Sequence, residues 1–140
     1  MTMQYPTLDL DLDGLPLLDS PWTVRFAHGT RGRVALEVYN AGLLLDVLVA
    51  RPLAPELLRG AHRAESHGRP SILAWGHLPS DGAPPDVVFT QRSRAPYRAE
   101  PAATAGAFWI ALAASGYDRV TATHRDGTSR RLRVRAGRSR

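Results

Sequence analysis

The C-terminal end of the chain carries four arginines whose spacing suits an anion-binding surface. Asp126-Gly127 is a strong hairpin signal, and a three-residue loop over 125–127 sets Val120 opposite Leu132. In that register the other face of the hairpin is predicted to carry four arginines: Arg119, Arg131, Arg133 and Arg135. Guanidinium groups bind phosphate and carboxylate through paired hydrogen bonds, so this face is predicted to bind an anion or an acidic partner. The competing interpretation is a solvated edge hairpin whose charge prevents association between sheets.

Two groups of metal-ligating residue types fall short of a recognisable metal site. Residues 9–14, Asp-Leu-Asp-Leu-Asp-Gly, resemble the start of a calcium loop, with alternating carboxylates before a glycine. Ser20, however, stands where such a loop needs a bidentate glutamate. His62, Glu65 and His67 lie close together, but the two histidines would diverge by roughly 140° on a helix. We therefore predict no metal ion and no cofactor.

Signatures of catalysis are also missing from the sequence. The chain contains no cysteine, which excludes a thiol nucleophile and a thiolate metal site. There is no Gly-x-Ser-x-Gly motif and neither common phosphate-binding glycine loop. We predict no catalytic residue and favour a protein that is not an enzyme, although a triad assembled from distant residues stays open. Trp22, Trp75 and Trp109 are expected in the core, with a cleft beside one of them as the alternative.

Charge is distributed unevenly along the chain. All 18 basic residues are arginine, a bias that a G+C-rich genome would also produce. Residues 1–20 hold four aspartates and no arginine, whereas residues 130–140 hold six arginines and no acid. This polarity favours attraction within or between molecules, or contact between the tail and an anionic partner. No secretory signal or membrane-spanning run is present, so we expect a cytoplasmic protein without membrane contact.

Alternating apolar residues predict most of the elements that would position these side chains. Residues 22–26 and 34–38 are predicted to pair across an odd-numbered loop, with Phe26 opposite Val34. Residues 43–49 have apolar side chains at both odd and even positions, which favours a central strand covered on both sides. The remaining predicted strands are 71–77, 86–91 and 107–114, the last with a helix as the alternative, and 92–102 is expected to be irregular.

One helix is predicted over about residues 55–67. Pro55 suits a first helical turn, four apolar residues between 57 and 64 recur at helical spacing, and Gly68 is a stop signal. If the strands before and after it are parallel, the unit is a right-handed crossover.

Together these elements predict a mostly β protein. The expected fold is an antiparallel β-sandwich or partly open β-barrel of about seven or eight strands with one helix, and the alternative is an α+β fold. We expect an extended acidic arm over residues 1–20, one globular domain over 21–135 and a basic, flexible tail over 136–140.

Three functions are compatible with these observations. The first is a non-catalytic interaction or assembly module that uses an edge strand and the arginine-bearing face to contact a protein partner or a second copy of the chain. The second is nucleic-acid binding by the C-terminal arginines, although no aromatic residues are interleaved with them for base stacking. The third is a small-molecule enzyme or binder with a pocket between the sheets, lined by a tryptophan and a histidine.

Overall fold

The computed structural model describes residues 7–8, 20–28, 30–51, 53–66, 68–114 and 116–136, and these residues form three β-sheets. In spatial order, the N-terminal sheet contains β1 (Thr7–Leu8), β2 (Trp22–His28), β3 (Val34–Asn40) and β4 (Leu43–Val49). The central sheet contains β13 (Arg135–Ala136), β5 (Gly60–Ser66), β6 (Arg69–His77), β10 (Phe108–Ala114) and β9 (Ala102–Thr104). The C-terminal sheet contains β12 (Ser129–Arg133), β11 (Arg119–Thr123), β7 (Asp86–Gln91) and β8 (Arg94–Ala99). The predicted mostly β class is confirmed, with three sheets in place of the two of a simple sandwich.

Alternate residues of the central sheet face two different hydrophobic cores. Leu73 and Trp75 pack with the N-terminal sheet, whereas Ile72, Ala74 and Trp109 pack with the C-terminal sheet. The central sheet therefore lies between the other two. Successive residues of a strand point to opposite faces, so a strand covered on both faces needs apolar residues at successive positions. This explains the continuous apolar run in β6.

The pairing of β2 with β3 differs from the predicted register by two residues. Phe26 lies opposite Leu36 and Val24 lies opposite Val38, and all four side chains face the core. The loop over residues 29–33 has an odd number of residues, as predicted. A shift by two residues leaves every side chain on its face, so the apolar pattern does not distinguish the two registers.

β4 is an edge strand, which corrects the prediction of a central strand. A bulge interrupts its pairing with β3, because Asp46 lies opposite Val38 but Leu44, not Leu45, lies opposite Tyr39. The extra residue moves Leu44 onto the outer face of the sheet. The apolar residues at both odd and even positions of β4 therefore reflect a bulge at an exposed edge, and not burial of both faces of the strand.

The predicted helix over residues 55–67 is wrong, because Gly60–Ser66 is strand β5. It pairs antiparallel with β6, so the parallel crossover is absent as well. Ala61 packs towards the C-terminal sheet and Ala64 towards the N-terminal sheet. Small apolar residues three positions apart resemble a helical face, but here they belong to a strand that is covered on both sides. Without the helix, the α+β alternative loses its main support.

Two further predictions concern residues 92–114. The stretch expected to be irregular contains β8, which forms a hairpin with β7 through a turn where Ser93 has a φ of 65°. Only Ala99 of β8 is buried, so the strand lacks the alternating apolar pattern that would have predicted it. The strand predicted over 107–114 is confirmed by Phe108–Ala114.

The hairpin of β11 and β12 has the predicted loop and register. Val120 lies opposite Leu132, and residues 125–127 form the loop. Gly127 adopts a φ of 96° and donates its N–H to the carbonyl of His124 at 2.8 Å. The turn requires a left-handed backbone conformation at this position, and glycine adopts it without steric strain.

Several sequence features lie outside the described residues. They are the acidic arm apart from residues 7–8 and 20, the calcium-like segment 9–14, His67 and the tail beyond residue 136.

Candidate functional site

Three of the four predicted site arginines share the outer face of the C-terminal sheet. Arg119 lies directly opposite Arg133, and Arg131 lies opposite Thr121. The residues between them in each strand point into the core. The like charges of Arg119 and Arg133 are therefore held side by side on an exposed face, an arrangement that repels unless an anion intervenes.

Arg98 extends this surface, although the sequence did not predict it. It lies opposite Val88, whose other cross-strand neighbour is Thr121. We call the four side chains on this surface the arginine face: Arg98, Arg119, Arg131 and Arg133. None of them forms a salt bridge with a residue of the described part of the chain. Arg98 was not predicted as part of this surface because residues 92–102 were expected to be irregular.

Arg135 does not belong to the arginine face, which corrects the prediction of a four-residue stripe along the hairpin. Val134 is buried in the core, and its N–H bonds to the carbonyl of Asp118. The chain then crosses to the central sheet, where β13 pairs in parallel with β5 and Arg135 lies opposite His62. The guanidinium group of Arg135 therefore faces a different environment.

That environment is a cavity of about 290 Å³ at the corner where the three sheets meet. The N-terminal sheet contributes Asp46, and the central sheet contributes His62, Trp75 and Arg135. Arg133, at the end of β12, borders the same space. The cavity thus brings together side chains that are far apart in the sequence.

Asp46 is the centre of a hydrogen-bonded network in the wall of the cavity. Its two carboxylate oxygens accept hydrogen bonds from Arg59 Nε and Nη2, each at 3.0 Å, and Oδ2 also accepts the indole N–H of Trp75 at 2.8 Å. Burial by itself would raise the pKa of Asp46, but the hydrogen bonds from Arg59 and Trp75 outweigh burial and lower it. Asp46 is therefore ionised and paired.

His62 covers Trp75 on the side of the cavity. The two rings are stacked with their centroids 5.8 Å apart. Burial lowers the pKa of His62, and the positive charge of Arg135 lowers it further, against a smaller opposing effect of Asp46. At neutral pH the imidazole is uncharged, and its buried Nδ1 has no hydrogen-bond partner among the described residues.

No known protein family, curated protein or solved structure matches this chain. Within the described residues, no three histidine, cysteine, aspartate or glutamate side chains are grouped as metal ligands. His62 and Glu65 in particular are three positions apart on β5, so their side chains point to opposite faces of the sheet. No helix in the part of the chain that the structure describes is long and apolar enough to cross a membrane.

The tryptophans are buried in the core, as predicted, and each indole N–H is satisfied. Trp22 donates to Ser71 Oγ at 2.9 Å, and Trp109 donates to the carbonyl of Leu57 at 2.8 Å. Trp75 additionally borders the cavity, which was the alternative expectation.

His77 has a structural role. The backbone N–H of Glu56 donates to its Nδ1 at 2.7 Å, so Nε2 carries the proton and donates to the carbonyl of Val49, also at 2.7 Å. These bonds tie the segment between β4 and β5 to β6. A second cavity, of about 310 Å³, borders His77, but both ring nitrogens are already engaged.

Proposed function

We propose that the protein is a non-catalytic assembly module in which two copies of the chain associate through β4 and its outer face. One observation carries the proposal. Of the six exposed large hydrophobic side chains in the described part of the chain, five lie between residues 43 and 53: Leu43, Leu44, Val47, Val49 and Leu53. Leu44, Val47 and Val49 of this group share the outer face of β4. Scattered exposed apolar residues are ordinary, whereas several on one face mark an interaction surface.

The edges of the other sheets are protected against association. β12 carries arginines on its outer face, and β8 contains Pro96 and two arginines. β9 and β13 are three and two residues long. Charge, proline and short length are the usual ways in which natural sheets prevent edge pairing. β4 has seven residues and a single charge, Asp46, which Arg59 neutralises.

One backbone acceptor at the free edge of β4 is already occupied. Ala50 donates its N–H to the carbonyl of Val34 at 2.9 Å, so alternation directs the backbone groups of Val49 away from β3. The carbonyl of Val49 is already occupied by His77. The outer face of β4 itself offers uncharged aliphatic groups, with Glu37 beside Val47 and Arg25 next to Glu37 on the same face of the sheet. Aliphatic groups suit an identical aliphatic surface, and a two-fold axis would place the same residues against each other.

Light scattering coupled to size-exclusion chromatography tests the proposal. The wild-type chain is expected at twice its 15.3 kDa mass, and Val47→Lys or Leu44→Lys at the monomer mass. Ala95→Lys, also at an exposed position on an edge strand, β8, is the matched control and should leave the dimer intact. A wild-type protein that is monomeric at every concentration, or a dimer that Val47→Lys does not weaken, would contradict it.

A second candidate function is supported by the arginine face. Arg98 joins the three predicted arginines that share this face, and the face has no described acidic partner. Such a surface suits sequence-independent contact with the phosphate backbone of a nucleic acid. Fluorescence anisotropy with labelled duplex DNA and RNA at about 50 mM salt, where phosphate contacts are strong, would detect it. Arg98→Gln with Arg131→Gln should then weaken binding and flatten its salt dependence.

A further inference from the structure

We propose that the cavity at the corner of the three sheets binds a small organic anion. Its carboxylate or phosphate group would be held by Arg133 and Arg135, and its less polar body would lie against Leu45, Leu132 and the ring of His62 that covers Trp75. This site lies on the inner side of β4, whereas the proposed assembly surface lies on the outer side. The two proposals are therefore tested independently.

The charges around the cavity select an anion. Three arginines and one carboxylate border it, and the carboxylate of Asp46 is fully engaged by Arg59 and Trp75. Arg133 and Arg135 form no salt bridge with any described residue, so two positive charges at the rim are uncompensated. Guanidinium forks match carboxylate and phosphate oxygens, and an anion between them removes their mutual repulsion.

His62 contributes its ring to the same wall, and its Nδ1 is a buried atom behind that wall without a hydrogen-bond partner among the described residues. A buried polar atom without a hydrogen bond is rare in folded proteins, because its lost hydration is not replaced. The Nδ1 of His62 is in this state within the described residues. Since the imidazole is neutral, it offers one donor and one acceptor and adds no further charge to the site.

The remaining lining residues, Leu45, Gly60, Ala61 and Leu132, carry no charge, and the volume that the wall encloses limits the size of the ligand. A Cβ on Gly60 would lie 2.5 Å from Cζ2 of Trp75, so the missing side chain allows the backbone of β5 to lie directly against the indole. A volume of about 290 Å³ is at the lower end of ligand pockets. Such a space fits a small amphiphilic anion, such as an aromatic or branched-chain carboxylate, and not a dinucleotide or a peptide.

Titration followed by the indole N–H signals in ¹H–¹⁵N NMR tests the site. The three tryptophan N–H groups have three different acceptors, so their signals are separate reporters. Benzoate, the probe anion, is expected to shift the Trp75 signal saturably and to leave those of Trp22 and Trp109 nearly unchanged. Benzylamine, a cation of similar shape, should produce no saturable shift, and inorganic phosphate should compete with benzoate.

Arginine variants provide the matched comparison. Arg135→Gln should weaken benzoate binding by about tenfold, the usual contribution of one charge-assisted hydrogen bond. Arg131→Gln removes the same charge from the outer face of β12, away from the cavity, and should leave the affinity unchanged. Equal losses in both variants would mean only general charge attraction and would overturn the proposal. The absence of a saturable Trp75 shift up to the solubility limit of benzoate would overturn it as well.

Discussion

The indole N–H of Trp75 donates a 2.8 Å hydrogen bond to the carboxylate of Asp46, joining the central sheet to the N-terminal sheet. Trp75 is only 1% exposed, so its N–H has no access to water as a substitute acceptor. The same carboxylate receives two hydrogen bonds from Arg59. One side chain at the edge of β4 therefore satisfies a buried donor and a partly exposed cation.

Asp46→Ala is expected to lower the free energy of unfolding by about 2–3 kcal/mol, because it leaves a buried indole N–H without an acceptor. Asp46→Asn retains an oxygen for Trp75 but loses the charge that pairs with Arg59, so its effect should be smaller. Urea denaturation of the two variants measures the difference. If Asp46→Asn is as destabilising as Asp46→Ala, the ion pair and not the indole hydrogen bond is the important interaction.

Gly60→Ala is expected to destabilise the protein by about 1–3 kcal/mol, because the added methyl group overlaps the Trp75 ring and forces it to move. The φ of Gly60 is not in the left-handed region, so backbone strain does not contribute. The control is the same substitution in a Trp75→Leu background, where the smaller side chain leaves room. Denaturant unfolding of the four proteins should give a strongly non-additive cycle, and simple additivity would contradict the steric explanation.

Arg119→Glu is expected to stabilise the C-terminal hairpin, because it replaces a like-charge pair opposite Arg133 by an ion pair. Cross-strand charge pairs contribute about 0.5 kcal/mol, and added salt should reduce the gain. Arg131→Glu makes the same change in net charge opposite Thr121 and should gain less. Urea unfolding at low and high salt separates the two effects. Equal gains in both variants would point to the reduced net charge alone.

The hairpin that carries these arginines was predictable because it depends on residues close together in the sequence. Asp126-Gly127 specifies the turn, and alternation then places Val120 opposite Leu132. The same reasoning found the inward faces of β2 and β3 but missed their register. When a strand shifts by two residues, each side chain stays on the same face of the sheet. Only packing in three dimensions therefore selects between the two registers.

The cavity was not predictable in detail because packing of sheets brings its residues together. Asp46 and Trp75 are separated by 29 positions and meet only across a sheet interface. Arg135 continues the alternation of Arg131 and Arg133, so the sequence contains no signal that the chain changes sheets. Val134 is buried where the chain passes from β12 to β13, and Arg135 then pairs with β5.

The contacts of His124 predict a pH-dependent stability of the hairpin tip. Its Nδ1 lies 2.9 Å from Asp126 Oδ1, and its Nε2 lies 2.9 Å from Asp81 Oδ2. Both nitrogens can donate only in the protonated ring, so Asp126 first and Asp81 second raise the pKa of His124. The pKa of Asp126 is lowered to about 2, mainly by the backbone N–H of Thr128 and then by His124.

Because the pKa of His124 is higher in the folded state, its stabilising contribution is complete below its ordinary pKa of about 6.5 and is lost as the pH rises through the raised value. The contribution of Asp126 has the opposite dependence, since it is present above about pH 4 and is lost as the pH falls towards its lowered pKa. Asp81→Asn is therefore expected to lower the pKa of His124 and to reduce the loss of stability as the pH rises above about 6.5. Imidazole signals in an NMR titration and urea midpoints at each pH measure the two effects.

Asp118→Asn, at an exposed loop position, is the control. Equal shifts of the His124 pKa in both variants would show that the direct contact with Asp81 is not the cause.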